Sequence, residues 1–515
     1  VEITAWEAGS GPFPARRPFA LVPVAVVTVV AVAVMFAFAG RYGYFGDELY
    51  FVIAGANPAW GYADQQPLVP FLAVTMEWLF PGSLVALRAP SILAFGLGAV
   101  VAALVARELG GDRRAQAFTT TAFVLSLASM YRNLNTIGLD ILGWSLLTLL
   151  LLRWLRTHRA GEHDDRLLLL SGVVVALSVQ VKIHVAVFVV VILLTLTVLG
   201  PRAIFRRPLL WVGALIVAVV TVPTVVWQFT HGWPQLAVAR SSSAEMTSVG
   251  GRLFSFVGML ALLGLVFGVV LGGYGLWRLL RAEETRPYRF LGWSAVGVIA
   301  VFLAVGGKPY YVAGVFPVLW AAGALGFQRR REAGAAENRR RWGWLAWPAL
   351  AVSVVVTVQS LPLASVESFA ERDTAPVDFR GSEIGWPKLA ADVEEIYHEL
   401  PRRQREHTVV LGSHYWTASA VEFHGRRADL PEAYSGSRGF WFFGHPPAET
   451  TTVIHIGEIA PGAREHFDRI RRVGTVDNGL GVDNVVQGQP IQLADVTGVD
   501  WERAWPEFRD MTLSL

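Results

Sequence analysis

The chain has 515 residues, 53% of them hydrophobic and only 17% charged, with a formal net charge of +3. Soluble domains carry nearer a quarter charged residues, so an ordinary soluble globule is excluded. The net charge itself says little, because the distribution of charge is what informs, and the expected partner is the bilayer, with no nucleic acid. Cysteine is absent, which removes disulfides, thiolate zinc sites and cysteine nucleophiles from consideration.

Apolar runs long enough to cross a bilayer recur along the chain. We read eleven spans, at about 19–39, 84–106, 115–130, 141–156, 167–181, 184–200, 209–229, 254–278, 290–305, 312–328 and 343–361. Arg16 and Arg17 precede the first, which lacks a small-residue cleavage site and reads as a retained anchor. The fifth and sixth are short for a core of about 30 Å, which implies tilt or burial in the bundle.

Between the first two spans lies Arg41–Pro70, RYGYFGDELYFVIAGANPAWGYADQQPLVP. Asp47, Glu48 and Asp64 sit there among aromatics, a functional-site signal at a membrane boundary. Residues 48–56 suit a short helix stopped by Asn57-Pro58. Residues 67–80 suit an apolar helix beginning at Pro67. Both are expected to lie along the membrane interface around Asp64.

Alternate connections (107–114, 153–166, 201–208, 278–289 and 329–341), with the N-terminal tail, carry 22 arginines against seven basic residues in the others. The positive-inside rule therefore places the N-terminus in the cytoplasm. After eleven spans the chain beyond Leu361 is outside the plasma membrane. The unusual polar clusters then share that outer side. They are the first loop, MYRNLNTIGLD (Arg132, Asp140), QVKIH (Lys182, His184), WQFTHGWPQL (Trp227, His231, Trp233) and GGKPYY (Lys308, Tyr310, Tyr311). Lysine occurs only at 182, 308 and 388, which singles out the first two.

From about Ala370 the composition becomes that of a soluble domain. Helices at 386–400, 415–425 and 463–471 alternate with strands at 407–413 and 451–457, a small α/β layer. The division is thus 1–365 for the membrane domain and 366–515 for an extracytoplasmic α/β domain. His414, His424, His445 and His455 match no compact zinc spacing. Trp416, Tyr434, Phe440, Trp441 and Phe442 suit either a core or sugar stacking. The run FWFFGHPP is too apolar to be freely solvated and is expected to pack on the membrane domain or border an acceptor cleft.

Neither GxxxxGK[ST], nor GxGxxG between strand and helix, nor HExxH is present. An enzyme built this way needs a substrate already activated in the membrane, such as a sugar on a lipid phosphate. Cleaving that bond requires a carboxylate base for the acceptor hydroxyl. It also requires cations for the leaving phosphate. Asp47 and Asp64 are candidate bases; Lys182, Lys308, Arg132 and Arg41 are candidate phosphate holders. Direct displacement inverts the sugar carbon.

A DE pair after the first span, AWGYADQQPL, an LD at the start of the fourth span and KPYY together resemble the GT-C glycosyltransferases. The nearest branch holds the dolichyl-phosphate-mannose-protein mannosyltransferases and lipid A aminoarabinose transferases. The resemblance spans about 15–365. It implies a polyprenyl-phosphate sugar donor (hexosyl or pentosyl), inversion on the outer face, and Asp47 as base. It also implies Asp64 and Asp140 as acids shaping the site, and Lys308 on the donor phosphate. Glu48, Arg132, Lys182, His184, Tyr310 and Tyr311 complete the candidate substrate-binding set. No cofactor is required by this reading; a divalent cation, Mg or Mn, if present, would be held by Asp47, Asp64 and Asp140. Gln65 and Gln66 depart from the Lys-Pro of the aminoarabinose enzymes. The tail lacks a sugar-binding trefoil, so the acceptor (glycan, lipid or protein) is left open. LPEAYSGSRGFWFFGHPP resembles outer domains of bacterial, often actinobacterial, members.

Plainer roles compete. Asp47 and Asp140 are residue types that cap helices, Asp64 suits an Asx turn, and Glu48 suits pairing with Arg41 or a backbone cap. Lysines and tyrosines at these depths also serve as interfacial anchors. A transporter or flippase of a lipid-linked sugar is the alternative function. It should place paired charges at the midplane and show inverted repeats, whereas the central thirds of these spans are nearly uncharged. A non-catalytic sugar-lipid binder would keep the groove without needing Asp47.

Overall fold

A computed structural model describes residues 16–248, 252–336, 346–371, 379–426 and 429–512. The arginine-rich stretch 337–341 and the first residues of the eleventh predicted span, 343–345, lie outside them. The chain forms two compact units. The first comprises the residues up to Phe38, Arg88–Val226 and Ser242–Leu361; the second comprises Ala39–Leu87, Trp227–Ser241 and the chain from Pro362 onward. The second unit thus begins its last segment near the predicted boundary, and it also takes in the first loop and the segment after Val226.

The first unit is helical. Every predicted span coincides with a helix. Among the described residues six helices are long and apolar enough to cross a membrane: Leu21–Ala39, Leu84–Glu108, Thr136–Arg159, Pro208–Thr230, Glu283–Ala304 and Pro309–Gly334. Arg166–Val179, His184–Leu199 and Trp347–Gln359 are apolar but shorter. Arg252–Arg281 is interrupted at Leu265, where φ is +47°.

Close helix packing explains the glycines on two of these elements. A Cβ at Gly275 would lie 1.8 Å from the Leu319 carbonyl oxygen, and one at Gly323 would lie 2.0 Å from that of Leu271. Only glycine permits this approach, the small-residue packing typical of membrane helices. Elsewhere the core is filled by large rings, such as Trp144 stacked on Phe188 with centroids 4.6 Å apart.

Thr136–Arg159 has two chemically distinct ends. Its C-terminal end brings Arg153 and Arg156 each within 3.3 Å of the buried Glu108 carboxylate, which Arg16 also pairs. Asp140 sits sixteen residues before Arg156, about 24 Å away along the axis at 1.5 Å per residue.

In the second unit two helices, Gly46–Ala56 and Leu68–Leu79, follow the predicted limits of the first loop. The rest is a mixed five-stranded sheet with helices. Strands β1 (Thr408–Gly412), β2 (Ala433–Ser435), β3 (Thr452–Ile456), β4 (Arg469–Thr475) and β5 (Pro490–Asp495) lie in the order β2-β1-β3-β5-β4. β1 is parallel to β2 and β3, while β5 is antiparallel to β3 and β4. Helices Trp386–Glu399 and Tyr415–Gly425 agree with the predicted ones.

The helix expected at 463–471 is not formed. Only Arg464–His466 makes a 3-10 turn, and from Arg469 the chain becomes the edge strand β4. Pairing with β5 supplies backbone hydrogen bonds that override a weak local helix preference. Its exposed arginines are the charge pattern that keeps an edge strand from pairing further.

Candidate active site

The sequence around Asp47 builds a carboxylate with two unlike oxygens. Helix Gly46–Ala56 starts at its N-cap Phe45, whose N–H donates to Glu48 Oε2 at 2.9 Å. Capping therefore falls to the fully buried Glu48, and Asp47 is left for another purpose. Its Oδ1 accepts from Tyr415 Oη–H and from Trp416 Nε1–H, both at 2.8 Å. Oδ2 has no protein donor among the described residues, and the side chain is only half-buried. Two donors on one oxygen fix the carboxylate's orientation and leave the other oxygen to react.

Those donors come from the start of helix Tyr415–Gly425. His414 caps that helix: its Nδ1 accepts from the Trp416 N–H at 3.2 Å. Burial, aided by the charge of Arg438, pushes the His414 imidazole down to about 3, so it stays a neutral acceptor. Tyr415 Oη also accepts from Arg438 Nη1 at 3.1 Å, and the guanidinium lies 4.9 Å from the Tyr415 ring centre.

Arg438 is the cation of this group. Its backbone has φ +48°, a conformation costly for a residue with a Cβ. The strain is held by its N–H donating to the Asp510 carbonyl at 2.7 Å. Burial works against its charge, but Tyr415, Asp64 and Asp47 outweigh that and raise its pKa.

Asp64 is the second acid. Its Oδ1 accepts from Tyr50 Oη–H at 3.0 Å. Burial pushes the carboxyl up to about 6; Arg438 and the Tyr50 hydrogen bond hold it down, and the charge of Asp47 adds to the rise. Burial first, and then Asp64, drives Tyr50 well above its ordinary value; burial and then Asp47 do the same to Tyr415. Both tyrosines therefore remain O–H donors at neutral pH. The loop that carries Asp64 is fixed by glutamines. Gln228 Nε2 and Gln235 Nε2 donate to the Tyr62 carbonyl at 2.9 and 3.2 Å, and Gln66 Nε2 donates to Gln235 Oε1 at 3.2 Å.

Beside Asp64 the unit holds a cavity of about 360 Å³, lined by residues 56–59 and Tyr62, Trp227, His231, Gly439, Phe442 and Phe443. The FWFFGHPP run thus contributes to its wall, with Phe440 buried in the domain and Trp441 bonded through Nε1 to the Trp505 carbonyl at 2.9 Å. Trp416 is used as a hydrogen-bond donor, and Tyr434 belongs to the sheet's core. His445 and His455 make local backbone hydrogen bonds, and His424 packs on Phe423.

The first unit gathers a second set of predicted residues. Lys182 Nζ donates to Thr136 Oγ1 at 3.2 Å and stands 4.6 Å from the Tyr311 ring centre and 5.6 Å from that of Tyr310. His184 packs on Tyr311 with centroids 4.0 Å apart. Lys308 is half-buried and precedes the 3-10 turn Pro309–Val315. Asn135, not Asp140, caps helix Thr136–Arg159; Asp140 accepts from Trp144 Nε1 at 2.9 Å, with the charge of Lys182 acting on it. Arg132 is buried at the end of Arg113–Tyr131, and Arg41 is exposed.

Tyr50, Tyr415 and Arg438 were not singled out from the sequence. The available signal was Arg438 itself, a lone arginine placed before Gly439 and an aromatic run, where a core segment should have none.

Residues 64–227 match the family model of the dolichyl-phosphate-mannose-protein mannosyltransferases. No curated protein matches the chain by sequence. Among solved structures the chain is similar to ArnT from Cupriavidus metallidurans bound to undecaprenyl phosphate. The TM-score is 0.57 at 16% identity, over 92% of this chain and 97% of that one. It is also similar to the arabinofuranosyltransferase AftD from Mycobacteria, with a TM-score of 0.50 at 14% identity, over 93% of this chain and 41% of that one. At such identities the likeness establishes the fold. That fold is the GT-C membrane fold, and the family match over residues 64–227 lies within it.

Proposed function

We propose that the protein transfers a sugar from a polyprenyl-phosphate donor to an acceptor hydroxyl on the outer face of the plasma membrane, with inversion and with Asp47 as general base. The observation that carries this is the asymmetry of Asp47, with Oδ1 held by Tyr415 and Trp416 and Oδ2 left without a protein donor among the described residues. The bound undecaprenyl phosphate of ArnT, a protein of the same fold, supports the donor class. The separation of Asp140 from the Glu108–arginine cluster along one helix supports the orientation, with arginines inside.

In this reading Asp47 Oδ2 takes the acceptor's hydroxyl proton as the oxygen attacks the anomeric carbon. The bond from that carbon to the phosphate oxygen breaks, and the electron pair leaves on polyprenyl phosphate. Lys308 and Lys182 are assigned to that phosphate, whose charge grows in the transition state. Tyr415, Trp416 and Arg438 orient the base, and Asp64 completes its electrostatic setting. The reaction is written without a metal ion. One oxygen of Asp47 and one of Asp64 are already held by protein donors, and the Arg438 guanidinium supplies positive charge beside both acids, which works against a divalent cation in the same place.

The test is Asp47→Asn in purified, membrane-reconstituted protein. Transfer should fall at least about 100-fold, on the scale of a lost general base, while donor binding is retained. Unchanged turnover would remove Asp47 from the reaction. Lys308→Ala should instead weaken donor binding, and treatment with EDTA should leave the rate unchanged.

A further inference from the structure

The cavity beside Asp64 has walls and rim of different chemistry. Trp227 and His231 are stacked, with centroids 4.2 Å apart and planes 15° from parallel. Phe442 meets both, at 5.4 and 5.6 Å, and Phe443 meets Tyr62 edge-on at 6.3 Å. Two polar atoms at the rim have no protein partner among the described residues, Asn57 Oδ1 and His231 Nε2. Asn57 uses its Nδ2 on the Ile53 carbonyl, and His231 uses its Nδ1 on the Trp227 carbonyl. Gly439 marks the inner end, because a Cβ there would stand 3.2 Å from Asp64 Oδ1.

We infer that this cavity is the subsite for a sugar ring of a carbohydrate acceptor. The inference rests on the transferase reading above and names the acceptor class that the sequence left open. A sugar ring has an apolar C–H face, which suits a wall of aromatic rings, and a hydroxyl edge, which suits Asn57 and His231. At about 360 Å³ the space falls at the small end of ligand sites, enough for one or two rings. A lipid chain would gain from the walls alone. It would have no use for polar atoms at the rim and would lie beside an acid pair and an arginine. A sugar hydroxyl placed near Gly439 instead comes up to the Tyr50–Asp64 pair, one residue from Arg438, which Tyr415 connects to Asp47.

The experiment uses the full chain in lipid nanodiscs and a methyl mannopyranoside carrying a diazirine, with crosslinked peptides located by mass spectrometry. Label should fall within 56–62, 227–231 or 439–443 and be displaced by unmodified methyl mannopyranoside, not by farnesyl phosphate. Phe442→Ala should cut labelling about five- to tenfold, the worth of one stacked ring. His231→Ala, at an exposed position, gives the same test without a buried truncation. Label elsewhere, displacement by farnesyl phosphate, or indifference to both variants overturns the subsite. Asp47→Asn should leave labelling intact. Protein that transfers sugar but labels elsewhere sinks the subsite alone; protein that labels in the cavity yet transfers nothing sinks the enzyme reading alone.

Discussion

The indole of Trp416 presses on Gly46 so closely that a Cβ at that glycine would lie 2.2 Å from the ring. The same indole donates through Nε1 to Asp47 Oδ1, one residue along. Gly46→Ala should therefore displace the ring and release the carboxylate. Judged as a helix residue alone, alanine would stabilise the first turn by up to about 1 kcal/mol. The expected outcome is the reverse: a lower melting temperature and a loss of transfer of at least about tenfold, the worth of a hydrogen bond to a charged group. A variant that melts higher and turns over normally would show that this contact does not hold the base.

Tyr415 links Arg438 to Asp47 through one hydroxyl. Tyr415→Phe keeps the ring and deletes the link. A hydrogen bond to a charged group is worth about 1.5–3 kcal/mol, so kcat should drop by about ten- to a hundredfold, short of the loss in Asp47→Asn. KM for the donor should stay near that of the parent, a split from kcat that a merely loosened fold would not produce.

The scaffold was legible in the sequence because membrane helices announce themselves by composition over some twenty residues. The predicted spans met helices throughout, and the stops at Asn57-Pro58 and the start at Pro67 were read from backbone chemistry. Asp47 and Asp64 stood out because charge is costly where they lie. What Asp47 touches was not legible. Tyr415, Trp416 and Arg438 are more than 360 residues away in the chain, and nothing local says that the first two will donate to it or that the third will donate to Tyr415. The capping roles went the same way: Glu48 and Asn135, not Asp47 and Asp140, satisfy the helix starts. Strand β4 was missed because an edge strand is specified by its partner, and its own residues read as a polar helix.

The pH dependence of stability should expose Asp64. Its carboxyl is pushed from 3.8 up to about 6 in the fold, chiefly by burial. Between those values the folded chain keeps a proton that the unfolded chain has released. The stability it contributes is thus complete below about pH 4 and lost as pH rises through about 6. His414, held down near 3, acts with the opposite sign, since acid favours unfolding to a state where it can charge. Asp64→Asn removes only the first effect. The melting temperature of the variant minus that of the parent should climb between pH 4 and 6 and level off above. A difference independent of pH would mean that Asp64 is not shifted.

Gly439 offers a test of the acid pair's packing that is separate from its charge. A Cβ there would lie 1.9 Å from Tyr50 Oη but 3.1 Å from the ring carbon that bears it. Gly439→Ala should thus destabilise the second unit by forcing the hydroxyl off Asp64. Tyr50→Phe alone should cost less, through the lost hydrogen bond to Asp64 Oδ1. In the double variant the clash has largely gone, so its loss in melting temperature should be smaller than the sum of the two single losses, as for residues in contact. Strict additivity would mean that alanine at 439 acts elsewhere, and the close approach joining the cavity to the carboxylates would lose its support.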